Sequence, residues 1–358
     1  MAPVTRSTAP LAPPRAPVRS LGSTAALPVS FDVRTAFDFA MSLASDAGAD
    51  ENEIPAEDLA WLKRARADLH AATGPALDDD LCVYGAGLII DRPEIQDAAA
   101  FVDVLSTTPG TDFANVIFGD SLRDPELRPD VDAALDGNGD ALDRVLACWP
   151  DEKHGWLRNL FDDPQTVIAT LAQRMAAWLP RYQEMEPRIR DIIVRDADLR
   201  TEDRATLGSV QLIERTTNGI RWLSEPGVRR VVLAPSYLAR PYNFTFSGGD
   251  WRMFVYPVAD AALEPHDPLA PPAGVLRLHR ALGDESRLRI LRLLRDRDWY
   301  LTEIAERLQL SKPTIKHHLA QLRAAGLVTL TEEGGLSYYS LRRDRLDDAS
   351  AELKRFLA

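Results

Sequence analysis

The residues best suited to chemistry lie near the C-terminal end of the chain. Ser311, Lys312, Pro313, Thr314, Lys316, His317 and Gln321 share a segment with Ile315, Leu319 and Leu322. The three apolar residues recur at i, i+4 and i+7, which predicts a helix over about 312–325 with Ser311 as its N-cap. Lysines, a threonine, a histidine and a glutamine then occupy the opposite face and the first turn. Such donors suit a polyanion with readable edges: side chains reach base edges in the major groove of DNA, and helix-start N–H groups donate to a phosphate oxygen. Arg323 is expected toward the DNA backbone. Arg342 and Arg343 are expected at the base of a following hairpin, within reach of flanking phosphates.

Other chemistries fail on spacing. His317 and His318 are helical neighbours about 100° apart, so they do not chelate one ion. Asp136-Gly137-Asn138-Gly139-Asp140 begins like a calcium loop, but Ala141 stands where glycine is needed and Ala147 where a bidentate Glu is needed. Gly85-Ala86-Gly87 lacks the third glycine of a dinucleotide loop, because that position is Ile90. Nucleophile-elbow, zinc-protease and P-loop motifs do not occur, and His154 and His266 are isolated. No catalytic residue, metal site or cofactor is therefore expected. Cys82 and Cys148 are the only cysteines, which fits a reducing cytoplasm; a redox role for them stays open beside the commoner fate of a buried thiol.

Elements on either side must position the 312–325 helix. Leu276, Ala281 and Leu282 fall in a first helix ending near Gly283. Asp284 caps a second, with Leu288, Ile290, Leu291 and Leu294 expected inward. A third covers about 301–308, with Ile304, Ala305 and Leu308 inward and a turn at Gln309-Leu310. Gly326 ends the recognition helix, and 328–331 pairs with 337–341 across Glu332-Glu333-Gly334-Gly335.

Upstream the pattern is mostly helical. Phe31–Leu43 and Asp58–Leu69 show helical spacing, and Asp163-Pro164 opens a helix bearing Val167, Leu171, Met175 and Trp178. Thr201-Glu202-Asp203 opens another, with Gly219 as its stop. A strand is expected at Arg229–Leu233 and a hairpin from Tyr242–Phe246 and Trp251–Tyr256. The expected fold is mainly α with small β elements. It comprises a disordered tail at 1–30, a helical regulatory domain with a short β-hairpin region at 31–260, a Pro-rich linker at 261–273, and a winged helix-turn-helix at 274–358. Arg215, Arg221, Trp222, Arg240 and Tyr242 are the upstream residues to watch for a pocket, against the commoner reading that they pack.

The 358 residues carry a net charge of −12, yet 275–358 holds about 16 Lys/Arg against about 12 Asp/Glu. A basic module on an acidic body is the asymmetry a DNA-binding domain produces. No apolar run reaches about 18 residues, so no membrane-spanning helix is expected. The N-terminal stretch lacks the apolar core of a signal peptide, and a cytoplasmic protein is expected.

The segments ALGDESRLRILRLL, LTEIAERLQLSKPTIKHHLAQLRAAGLV and GGLSYYSL resemble the ArsR/SmtB family of bacterial winged-helix regulators. The resemblance covers about a quarter of the chain. It implies a homodimeric repressor on an inverted-repeat operator in double-stranded DNA. It also implies a dimer surface on Val275–Leu282 and Asp344–Phe356, where Leu346, Leu353, Phe356 and Leu357 supply an apolar side. Members that sense metal do so through a cysteine pair after the second helix or through His and carboxylates on the last one. Here the first position reads Trp299-Tyr300-Leu301-Thr302 and the last helix has no histidine, so metal sensing is not expected. The stretch VVLAPSYLARPYNFTFSGGDWRMFVYP distantly resembles an extra domain of some long actinobacterial-type regulators, which implies a regulatory body open to a small-molecule or protein effector. The alternative is an enzyme or protein-interaction domain carrying an accessory winged helix.

Overall fold

The computed structural model describes residues 27–44, 53–76, 81–118, 127–148, 154–263, 271–333 and 336–357. The expected tail lies outside the described residues as far as residue 26, and the expected linker does so over 264–270.

The body begins with strand β1 (Val29–Phe31) and helices α1 (Thr35–Met41), α2 (Ala56–Thr73), α3 (Leu81–Tyr84), α4 (Ala98–Thr107), α5 (Gly110–Ile117), α6 (Arg128–Leu135), α7 (Gly139–Leu146) and α8 (His154–Asp162). It continues through α9 (Pro164–Gln183), α10 (Glu186–Leu199), α11 (Thr201–Thr206), α12 (Ser209–Thr216) and strands β2 (Ile220–Trp222), β3 (Arg230–Ser236), β4 (Phe244–Ser247) and β5 (Trp251–Pro257). The C-terminal module holds α13 (Ala273–Leu282), α14 (Glu285–Leu294), β6 (Trp299–Tyr300), α15 (Leu301–Leu308), α16 (Lys312–Ala324), β7 (Val328–Glu333), β8 (Leu336–Leu341) and α17 (Arg343–Leu357).

Two expectations about the start of the chain need correction. Val29 and Ser30 belong to a strand, and Phe31 is its end, not the start of a helix. Phe31 pairs with Leu233 in a parallel ladder, and the helix begins only at Thr35. The partner strand lies some two hundred residues away, so nothing local announces it. The expected helix from Thr201 also breaks, at Leu207-Gly208, into α11 and α12.

The hairpin of β4 and β5 forms as expected, but it is one side of a larger mixed sheet ordered β1-β3-β5-β4, with β1, β3 and β5 parallel. Both faces of its centre are buried, which is the rule for parallel strands. Val232, Ala234, Met253 and Val255 point into the large helical core. Val231, Leu233, Phe254 and Tyr256 point the other way, into a smaller core with Leu212, Ile213, Ile220 and Trp222. The sheet is therefore the middle layer, and α12 and β2 form the layer beyond it.

Asp38 pins α1 to the end of β3. Its carboxylate accepts from Ser236 Oγ (2.5 Å), the backbone N–H of Tyr237 (2.6 Å) and of Leu238 (2.9 Å), and Tyr182 Oη (3.0 Å). Burial pushes this carboxyl above its usual range, against those hydrogen bonds. The Gly85–Leu88 segment is a 3₁₀ turn in which the glycines serve packing: a Cβ at Gly85 would meet Phe101 at 2.8 Å, and one at Gly87 would meet Val116 at 2.4 Å. Asn138 of the calcium-like stretch N-caps α7, accepting from Ala141 N–H at 3.1 Å.

A third core lies within the module, where Ile315, Leu319 and Leu322 meet Leu278, Ile290, Leu294, Ile304 and Val328. Leu288 is the exception to the expected inward set and is 48% exposed. On α14 the inward angle centres on Ile290, Leu291 and Leu294, and the remaining inward slot falls to position 287. Arg287 uses it to donate to the Ala281 carbonyl (2.9 Å), the Arg280 carbonyl (2.7 Å) and the side chain of Gln321.

Candidate nucleic-acid interface

The recognition helix is built as its sequence dictates. Ser311 caps it, accepting from Thr314 N–H at 3.2 Å, with Pro313 in the first turn where a missing N–H costs nothing. Ile315, Leu319 and Leu322 are wholly buried. Ser311, Lys312, Pro313, Thr314, Lys316 and His317 are exposed together, on the other face and at the helix start. The turn before it is closed by Gln309, in the left-handed region at φ 57°.

The remaining expected residues divide. Gln321 is half-buried and engaged within the module: its amide lies 3.0 Å from His317 Nε2, and its oxygen takes the Arg287 guanidinium. It braces His317 from one helical turn away. Arg342 is half-buried, and its backbone N–H donates to the Leu327 carbonyl at 2.9 Å. Arg343 is exposed and donates to the Arg295 carbonyl at 2.7 Å.

Arg323 is the correction. It is 7% exposed and points into the protein, where its Nη1 donates to the Thr217 carbonyl at 3.3 Å. Burial opposes its charge, with Tyr339 and Glu332 countering in part. Its spacing on α16 suited a phosphate, but the body occupies that side.

What it meets there is the Thr217-Asn218-Gly219 turn, which leads into β2. This three-residue strand leaves the body and pairs in parallel with β7, so the module's sheet runs β2-β7-β8-β6. Leu330 N–H donates to the Gly219 carbonyl at 2.8 Å, and Leu223 N–H to the Glu332 carbonyl at 3.1 Å. Arg252 on β5 pairs with Glu332 at 3.1 Å. A second attachment lies on α13, where Arg277 meets Glu53 and Asp260, and Arg240 meets the same two carboxylates. Burial alone would raise the Asp260 carboxyl, but Arg277 and Arg240 outweigh it and hold it below its usual range.

Sequence reasoning missed β2. Its signal was present: Asn218-Gly219 after a helix, then Ile220 and Trp222 alternating with Arg221. Three residues are too few to carry a period.

The watched upstream residues do not gather. Arg215 pairs with Asp203 (3.0 Å) and Arg221 with Glu214 (2.9 Å); Trp222, Arg240 and Tyr242 are buried in packing. A cavity of about 530 Å³ lies elsewhere, between α2, α3 and α9, beside Arg66, Leu69, Leu81, Leu171 and Arg174. Cys82 is buried on its wall and Cys148 is exposed. No described helix is long and apolar enough to cross a membrane.

A capped, basic-fronted helix seated against a three-helix core and followed by a hairpin defines a winged helix-turn-helix of the DNA-binding class. Comparison with known proteins narrows the class. The profile of "Bacterial regulatory protein, arsR family" matches residues 284–329. Transcriptional repressor SdpR of Bacillus subtilis (strain 168) is 36% identical over 78 residues, which is 22% of this chain and 87% of the repressor. HTH-type transcriptional regulator CmtR of Mycobacterium bovis is 40% identical over 81 residues, 23% of this chain and 69% of its own. Transcriptional activator HlyU of Vibrio cholerae is 39% identical over 64 residues, 18% of this chain and 59% of its own. The chain belongs to the arsR family of bacterial regulatory proteins and is a DNA-binding transcriptional regulator of that type; these likenesses cover only its C-terminal part.

Proposed function

We propose that the chain is a homodimeric repressor that binds an inverted-repeat site in double-stranded DNA through α16, with residues 31–260 acting as a regulatory body and 274–358 as the DNA-binding domain. The observation that carries this reading is the joint exposure of Lys312, Thr314, Lys316 and His317 above a wholly buried Ile315-Leu319-Leu322 stripe. Lys312, Thr314, Lys316 and His317 enter the major groove, Ser311 and Pro313 orient the helix start, and Arg342 and Arg343 approach flanking phosphates. Repression is favoured over activation because two relatives are named repressors, over 78 and 69 residues, and one an activator, over 64.

The second copy is assigned to α17. Leu346, Phe356 and Leu357 are 36%, 37% and 72% exposed on it. α13, the other dimer helix that the family resemblance implies, spends Arg277 on the body, which leaves His279 and Arg280 outward. That body grips α13 and β7 together, and this supports its role in modulating DNA binding.

The test is capture of sheared native DNA by the purified full-length protein at a stated near-physiological salt. A sharp inverted-repeat site supports a sequence-specific regulator. Uniform weak capture that vanishes with salt would reduce the interaction to generic phosphate binding and overturn the reading.

A further inference from the structure

The C-terminal end of α16 is completed by the body. An α-helix leaves its last four carbonyls without helical partners. Three of those of α16 are taken locally: Gln321 O accepts from Ala325 N–H (3.0 Å), Leu322 O from Leu327 N–H (2.9 Å) and Arg323 O from Gly326 N–H (2.8 Å). Ala324 O accepts instead from Asn218 Nδ2 at 2.8 Å, and the same nitrogen lies 3.4 Å from Arg323 O. The exchange is mutual, because Arg323 donates back to Thr217 O.

The turn that makes these contacts is itself tightly specified. Asn218 has φ 52° and Gly219 φ 111°. A Cβ on Gly219 would lie 3.0 Å from Val328 O, so only glycine brings the turn this close to the wing. Thr217 Oγ1 donates to Ile213 O at 2.7 Å and accepts from Ile220 N–H at 3.0 Å, fixing the turn to α12. Asn243, between β3 and β4, holds Thr217 O at 3.2 Å. The recognition helix is thus tied at its C-terminal end to the same body core that packs under β3 and β5.

We infer that Asn218 and Arg323 are positioning residues for sequence reading: the Thr217-Asn218-Gly219 turn sets where α16 lies relative to the wing, and the body acts on DNA recognition through that turn. This rests on the DNA-binding reading above and names the place where regulation enters it. Direct readout depends on helix placement, whereas non-specific binding depends on charge alone. A loosened helix end should therefore cost specific binding and spare the generic part.

The experiment uses the full-length chain with Asn218→Gly. Glycine accepts the positive φ, so the substitution removes the side-chain donor without straining the turn. Affinity is measured for the captured site and for a scrambled duplex of equal length, each across a salt series. The expected result is a roughly five- to tenfold loss on the captured site. Affinity for the scrambled duplex and both salt slopes should stay unchanged. Arg323→Met is the second variant, and it should give the same pattern. Equal loss on both duplexes would mean general destabilisation and would overturn the inference. So would unchanged specific affinity in both variants, or a salt slope that falls in Arg323→Met, which would return Arg323 to the phosphates. If the wild-type protein selects no site at all, the DNA-binding reading itself fails, a result that does not depend on either variant.

Discussion

Arg277, on the first helix of the DNA-binding module, grips Glu53 of the body through two nitrogens, Nε to Oε1 at 2.6 Å and Nη2 to Oε2 at 2.5 Å. The Glu53 side chain is 2% exposed, and Arg240, equally buried, lies 3.4 Å from the same Oε2. Two guanidiniums thus share the buried Glu53 carboxylate and the half-buried Asp260 carboxylate at the junction between body and module. Removing one member of such a set leaves charge stranded away from water.

Glu53→Gln should therefore destabilise the protein by about 3 kcal/mol, the lower end for a broken buried pair, because Asp260 still faces both arginines. Urea unfolding monitored by tryptophan fluorescence checks this. A change below about 0.5 kcal/mol, the size typical of a surface substitution, would show that the pair carries no net stability.

Lys312→Ala with Lys316→Ala should weaken binding to the captured site and reduce the magnitude of its log–log salt slope by up to about 3.6, at about 0.9 per phosphate contact for two lysines in each protomer of the dimer. Both lysines are exposed beside the capped helix start. An unchanged slope in a fluorescence-anisotropy titration would remove them from the phosphates.

Leu319→Ala should cost roughly 2–5 kcal/mol, because the side chain is wholly buried between α16 and the rest of the module core. Calorimetry would show the loss as a lower Tm. An unchanged Tm would mean that the module core collapses to fill the space.

His318 gives a pH dependence of fixed sign. Burial pushes its ring below the ordinary 6.5, and Asp284, 3.9 Å from Nδ1, offsets this only in part; Arg287 and His317 add to the depression. Below about pH 6.5 the unfolded chain takes up a proton that the folded ring still resists. Stability contributed by this site is full above 6.5, falls as the pH drops through that value, and levels off once the folded ring is also protonated. Urea midpoints at pH 7.5 and 5.5 should differ more for wild type than for His318→Gln. Equal differences would sink the assignment.

The module was legible because its signals are local. The Ile315-Leu319-Leu322 stripe, the Ser311 cap, Gly326 at φ 74° and the paired strands all lie within thirty residues of one another. In the body, the caps at Asp163 and Asn138 are read the same way. Phe31, by contrast, reads as helix because its strand partner Leu233 is remote, and Leu288 reads as inward because helical spacing admits two neighbouring faces.

By itself, the sequence determined the class of this protein: a winged helix-turn-helix with a basic recognition face, since caps, apolar period and turn residues act over a few positions. Where the body touches that module follows from the tertiary structure alone. Asn218, Ile220 and Trp222 meet α16 and β7 across more than a hundred residues of chain, and no local period records such a pairing. Arg323 shows the difference most plainly. Its position on the helix suits a phosphate, but the turn packed against that side makes it an internal tie.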